Sequence, residues 1–263
     1  MIINKVKKLF DGTDYKQNNF NWQEFTLKEL NLPTAEEILK GVKKIESKVG
    51  LFSWRTKHHT HSKYKGFGLT YNPTFFDKNE SRYSQVWGSP LLEQYYGAEK
   101  GTGDHTQMKD TYYDTFGFRK IDKTIQDDLG FFLNKFNFHI SRSRVAYIFG
   151  YDEEPNKDKG WHVDEPTSQL LRVNIPLQTS DEYAIEWANK TYKLEVGKAY
   201  LWNTRQPHRP TVIKKVTTKQ PRINIVLGLT PWLNYDINTD TYTPNKYFGK
   251  PINEIVKKRL FVK

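Results

Sequence analysis

Four residues in the second half of the chain have types and spacing suited to metal chemistry. Gly160-Trp161-His162-Val163-Asp164-Glu165 places an imidazole and a carboxylate two positions apart, and on an extended strand residues i and i+2 share one face. Two ligands then reach one ion. His208, in Trp202-Asn203-Thr204-Arg205-Gln206-Pro207-His208-Arg209-Pro210, lies far enough downstream for several strands to intervene and offers a third ligand. Two histidines and one carboxylate leave coordination positions open, the donor set of a non-haem Fe(II) centre. Arg222 follows, at the head of the apolar run Arg222-Ile223-Asn224-Ile225-Val226-Leu227-Gly228-Leu229. A guanidinium there is placed to hold a carboxylate through two parallel hydrogen bonds.

The elements that must position these residues are short β-runs. From residue 138 on, turn residues bound eight of them: Arg142–Phe149, Trp161–Asp164, Leu170–Gln178, Tyr183–Trp187, Thr191–Leu194, Ala199–Trp202, Arg209–Ile213 and Arg222–Leu229. Eight strands at this spacing predict a jelly-roll sandwich. Upstream, Pro33-Thr34-Ala35-Glu36-Glu37 reads as a helix start with a capping box, and Ile38, Val42, Ile45 and Val49 form one apolar stripe ending near Gly50. Ile121, Ile125, Leu129, Phe132, Leu133 and Phe136 recur at helical spacing, interrupted by Gly130, so one helix or two short ones precede the β-region. Residues 72–118 read as a long irregular excursion. Within it, Tyr112 to Arg119 is a dense aromatic stretch suited either to lining a pocket or to core.

Together, His162-Val163-Asp164, the Leu171-Arg172-Val173-Asn174-Ile175-Pro176-Leu177 strand, Gly197 before Tyr200-Leu201-Trp202-Asn203, His208 and Arg222 resemble the Fe(II)/2-oxoglutarate-dependent dioxygenases. The resemblance is narrower to the branch of aspartyl/asparaginyl β-hydroxylases and free-proline hydroxylases. It covers roughly the last third of the chain, as an ordered set rather than one short motif. It implies a mainly β fold with flanking helices around a double-stranded β-helix (jelly-roll, cupin-like) core. It also implies Fe(II) on His162, Asp164 and His208, with 2-oxoglutarate as cosubstrate and O2 on the remaining positions. Arg222 then clamps the distal carboxylate. Arg172 is placed to bind a carboxylate of the cosubstrate or of the substrate, and Asn203 joins Asn174 and Asn224 as a candidate polar donor. The implied reaction hydroxylates an unactivated C–H of an amino acid, free and proline-like or an aspartyl or asparaginyl residue in a peptide, releasing succinate and CO2.

Length and composition fit one domain of 263 residues. Residues 1–137 form a mixed helical and irregular part packing on the core, 138–233 the jelly roll with its metal site, and 234–263 a C-terminal extension. Hydrophobic residues make up 37% and aromatics 15%, so rings fill much of the interior. Lys plus Arg is 41 against 30 for Asp plus Glu, but the lysines are dispersed and the densest runs sit near the ends, which reads as a solvated surface. No basic, aromatic-interleaved stripe adjoins the candidate site, so nucleic acid is not an expected partner. There is no cysteine, which excludes disulfides and thiolate-bound zinc or iron–sulfur clusters. No apolar run has the length of a signal or a bilayer span, so a cytoplasmic protein is expected, with a small-molecule or peptide substrate, O2 and no membrane partner.

Three other features bear on the site. His58, His59 and His61 lie in one short loop, which reads as solvated and polar or as a cover over the active site. Trp161 and Trp202 flank the ligands and are expected to keep the site dry, while Glu165 has the wrong strand parity to join them. Arg222-x-Asn224 is similar to a motif of nucleic-acid demethylases, whose pattern continues to a second arginine that Val226–Thr230 lacks. A jelly-roll module that binds a metal or an anion without turnover is the alternative from another class.

Overall fold

The computed structural model describes residues 22–55, 60–73, 81–85, 116–151, 153–155, 160–164, 170–204, 206–250, 252 and 255. Helix α1 (Ala35–Val49) starts where its sequence dictates: Glu37 N–H donates to the Thr34 hydroxyl while the Glu37 carboxylate accepts from Thr34 N–H, and Gly50 ends it at a φ of 78°. Helix α2 (Lys123–Leu133) is continuous through Gly130, with the Asp122 carboxylate accepting from Thr124 N–H at its start. The apolar stripes of both helices enter the main core, where Ile38, Val42, Ile45, Ile125, Leu129 and Phe132 are fully buried. The helices meet closely at Gly41, where a Cβ would lie 2.6 Å from the Asp128 carbonyl oxygen.

The strands are β1 (Gln23–Thr26), β2 (Phe52–Arg55), β3 (Thr60–Gly68), β4 (Ile140–Ile148), β5 (Leu171–Gln178), β6 (Tyr183–Trp187), β7 (Lys190–Tyr192), β8 (Lys198–Leu201), β9 (His208–Val212), β10 (Arg222–Leu229), β11 (Leu233–Asp236) and β12 (Thr241–Pro244). A seven-stranded sheet runs β1-β8-β5-β10-β4-β3-β2, a three-stranded sheet runs β7-β6-β9, and β11 and β12 form a hairpin. Every pairing is antiparallel. The result is the expected β-rich jelly roll with flanking helices.

Period-2 alternation divides the large sheet into two different faces. Val145 and Tyr147 of β4, Val173 and Ile175 of β5, and Ile223, Ile225 and Leu227 of β10 join the helix-side core. Their alternates Arg144, Ala146, Ile148, Arg172, Asn174, Arg222, Asn224 and Val226 face a cavity that the small sheet closes with Ile185, His208 and Pro210.

Several local expectations change. Trp161–Asp164 is no strand; it touches the small sheet through one bridge, His162 to His208. Beyond that bridge, Asp164 N–H bonds the Thr204 carbonyl, and no ladder forms. Strand β3 begins at Thr60, inside the segment expected to be a histidine loop, while residues 56–59 lie outside the described residues. Strand β1 and the β11–β12 hairpin were not expected. Of the excursion at 72–118, most lies outside the described residues; its end, Phe116 and Phe118, is buried core rather than cavity wall. Residues beyond 233 contribute to the interior through Tyr242, Ile252 and Ile255. Among the described residues no helix is long and apolar enough to cross a membrane.

Candidate metal centre and carboxylate cavity

Three backbone bonds lace the ligand segments together. His162 and His208 exchange N–H···O bonds of 3.1 and 3.0 Å, and Asp164 N–H donates to the Thr204 carbonyl at 2.9 Å. This brings the donor atoms of His162, Asp164 and His208 within 4.8 Å of one another, with the His208 Nε2 3.7 Å from an Asp164 carboxylate oxygen. The two imidazoles lie with centroids 4.4 Å apart, tilted by 54°.

The tautomer of each ring follows from its partner. His162 Nδ1 lies 2.9 Å from the Gly160 carbonyl and His208 Nδ1 2.9 Å from the Gln206 carbonyl. A carbonyl oxygen only accepts, so each Nδ1 carries the hydrogen and each Nε2 presents its lone pair. This is how metal-binding histidines are oriented, and it raises their basicity. With Asp164 buried beside them, the set fits a divalent ion on one face and leaves the opposite positions open.

Arg222 sits on the floor of the same cavity, fully buried at the start of β10. Burial holds its guanidinium below the ordinary arginine range, and the charged or polar groups that offset this are the hydroxyls of Tyr64 and Tyr183. Among the described residues its Nε and Nη1 have no hydrogen-bond partner. Arginine cannot shed its proton to escape burial, so the site holds a buried cation that is costly unless an anion pairs with it. A carboxylate is the group that would satisfy it.

Arg172 also faces the cavity, as its alternation with Leu171, Val173 and Ile175 suggested. Its Nη1 donates to the Arg142 carbonyl at 2.7 Å. Arg142 takes a φ of 43° where the pairing of β4 with β10 slips between Val226 and Gly228, a bulge that turns this carbonyl toward the cavity side. Asn224 Nδ2 donates to Asn174 Oδ1 at 3.1 Å, leaving the buried Asn224 Oδ1 as an acceptor with no partner.

Asn203 is not brought to the cavity with these groups. Its carbonyl accepts from Trp187 Nε1 and from Gln206 N–H, so it shapes the turn that leads to His208. Trp202 lines the cavity edge-on to His208, with centroids 6.0 Å apart. Trp161 does not help close it: the indole is 41% exposed and covers the guanidinium of Arg209, itself buried and paired with Glu186. Glu165 and Arg205 lie outside the described residues.

Sequence reasoning passed over Arg144. It lines the cavity from β4, and its Nε is buried with no partner. The signal was present in Arg144-Val145-Ala146-Tyr147-Ile148, where Arg144 shares strand parity with Ala146 and Ile148 rather than with the core residues. The cavity has a volume of about 90 Å³ and is partly open to solvent.

No protein-family model and no curated protein matches this sequence. Among solved structures the chain is similar to IDO from Bacillus thuringiensis, at 12% identity and a TM-score of 0.39, over 93% of this chain and 100% of that one. It is similar to an oxidoreductase of the 2OG-Fe(II) oxygenase family from Burkholderia pseudomallei, at 11% identity and a TM-score of 0.34, over 72% of this chain and 77% of the other. A Pseudomonas putida prolyl-4-hydroxylase matches at 8% identity and a TM-score of 0.37, over 87% of this chain and 99% of that one.

Proposed function

We propose that this protein is an Fe(II)- and 2-oxoglutarate-dependent oxygenase of the aspartyl/asparaginyl and free-proline hydroxylase branch. It hydroxylates an unactivated C–H of an amino acid, free and proline-like or an aspartyl or asparaginyl residue in a peptide. The observation that carries this reading is the pairing in one cavity of a two-histidine, one-carboxylate donor set with Arg222, a fully buried guanidinium that has donors to spare.

His162, Asp164 and His208 hold the iron, the imidazoles through Nε2. The bound iron and 2-oxoglutarate supply the oxidation, activating O2 and giving succinate and CO2. The protein's residues bind and orient. Arg222 takes the distal carboxylate of the cosubstrate in a fork-to-fork contact. Arg172, anchored on the Arg142 carbonyl, sits three alternate positions along the sheet from Arg222 and is placed for a carboxylate at the other end of the cavity. Trp202 packs against His208 and limits water at the ligands.

The test is spectroscopic. Protein purified without oxygen and mixed with Fe(II) and 2-oxoglutarate is expected to develop the weak visible metal-to-ligand charge-transfer band, and Asp164→Ala is expected to lose both iron and band. A folded, iron-loaded protein without the band would make this a metal- or anion-binding module instead.

A further inference from the structure

Arg144 is the charged cavity residue for which the reaction above has no use. Among the described residues it forms no ion pair, and its Nε is buried with no hydrogen-bond partner. On the sheet it pairs with Val226, in the row that continues to Asn174 on β5. Arg222 lies on β10 four residues before Val226, which at 3.3 Å per residue puts it about 13 Å along the sheet from Arg144. The two arginines leave the sheet at different ends of the floor.

Charge points the same way. Among the described residues, Arg144, Arg172 and Arg222 line the cavity and Asp164 is the one carboxylate that faces them. A divalent metal and a doubly charged cosubstrate cancel, so these described groups keep their positive excess in the loaded site. The next molecule to enter is drawn in if it is an anion.

Resting on the oxygenase reading above, we infer that the substrate is a small molecule with a free carboxylate of its own and that Arg144 binds it. The substrate is then a free acid rather than the interior of a peptide. Arg172 completes the cationic end from β5, and the open side of the cavity admits the rest of the molecule.

The experiment uses the anaerobic wild-type protein with Fe(II) and 2-oxoglutarate, with the charge-transfer band as reporter. Free amino acids and short aliphatic and aromatic monocarboxylic acids are titrated, each beside its own primary amide. At least one acid is expected to perturb the band saturably, with its amide binding at least roughly 10-fold more weakly. Arg144→Gln should weaken that acid by roughly 10–100-fold, the loss of a charged hydrogen bond, and erase the preference for acid over amide. Arg144→Lys should restore part of it. The 2-oxoglutarate concentration that half-develops the band should not change in either variant, which also shows that each folds and binds metal. Equal binding of acid and amide, no acid that perturbs the band, or an Arg144→Gln variant that weakens 2-oxoglutarate instead would each overturn the inference while leaving the oxygenase reading intact. Absence of the band in wild-type protein overturns both.

Discussion

The two faces of the large sheet are made from alternate residues of the same strands, yet they do opposite things. Toward the helices, Val145, Tyr147, Val173, Ile175, Ile223, Ile225 and Leu227 are buried at 0% exposure in a continuous apolar core. Toward the cavity, the intervening positions hold three arginines and two asparagines, and several of their polar atoms have no partner. One face stabilises the fold; the other is tolerated because of what the first supplies. The contrast teaches that the polar floor is not a packing solution. A buried amide or guanidinium left without a partner costs free energy that an apolar side chain of similar volume would not.

Substitutions can break or sharpen this contrast. The largest effect is expected from Ile225→Ala on the helix side, a loss of about 2–5 kcal/mol of stability in urea or thermal unfolding. The cavity face should behave in the opposite sense. Arg222→Met removes an unpaired buried cation, and unfolding should show a gain of up to about 4 kcal/mol, while the requirement for 2-oxoglutarate rises sharply. A loss of stability in that variant would mean that Arg222 is structural.

His139 sharpens the comparison from a third position, because an imidazole can shed the charge that Arg222 must keep. Burial, reinforced by Lys120 and Arg119, pushes it down from 6.5 to about 3. Between those values the unfolded chain binds a proton that the folded one does not, so stability is full above about pH 6.5 and falls as the pH drops toward 3. The expected slope is about 1.4 kcal/mol per pH unit. It should appear in urea titrations between pH 7 and 5 and flatten in His139→Phe; an unchanged slope would assign the acid sensitivity to other groups.

Much of this was legible from the chain alone, where local chemistry decides the structure. The capping box of Thr34 and Glu37, the stop at Gly50, and the bounds of Tyr183–Trp187 and Arg222–Leu229 follow from propensity and period. So does the shared face of His162 and Asp164, which needs only i, i+2 parity. Strand β1 was not legible because four residues with an alternating half-buried pattern become a strand only by pairing with β8, far along the chain. Arg144 was missed for a related reason. Ser141-Arg142-Ser143-Arg144 puts two arginines on one parity, and only the bulge at Arg142 separates their roles. Asn203 looked like a cavity donor beside Trp202, but its position in the turn before His208 keeps it off the cavity lining.

Both imidazoles of the candidate metal site are braced by a carbonyl two residues earlier in their own segment, Gly160 for His162 and Gln206 for His208. Each of these two rings therefore has one nitrogen fixed from within a three-residue span of its own segment. Which nitrogen of each ring keeps its lone pair is thus decided locally, and substitutions elsewhere in the framework leave that choice in place.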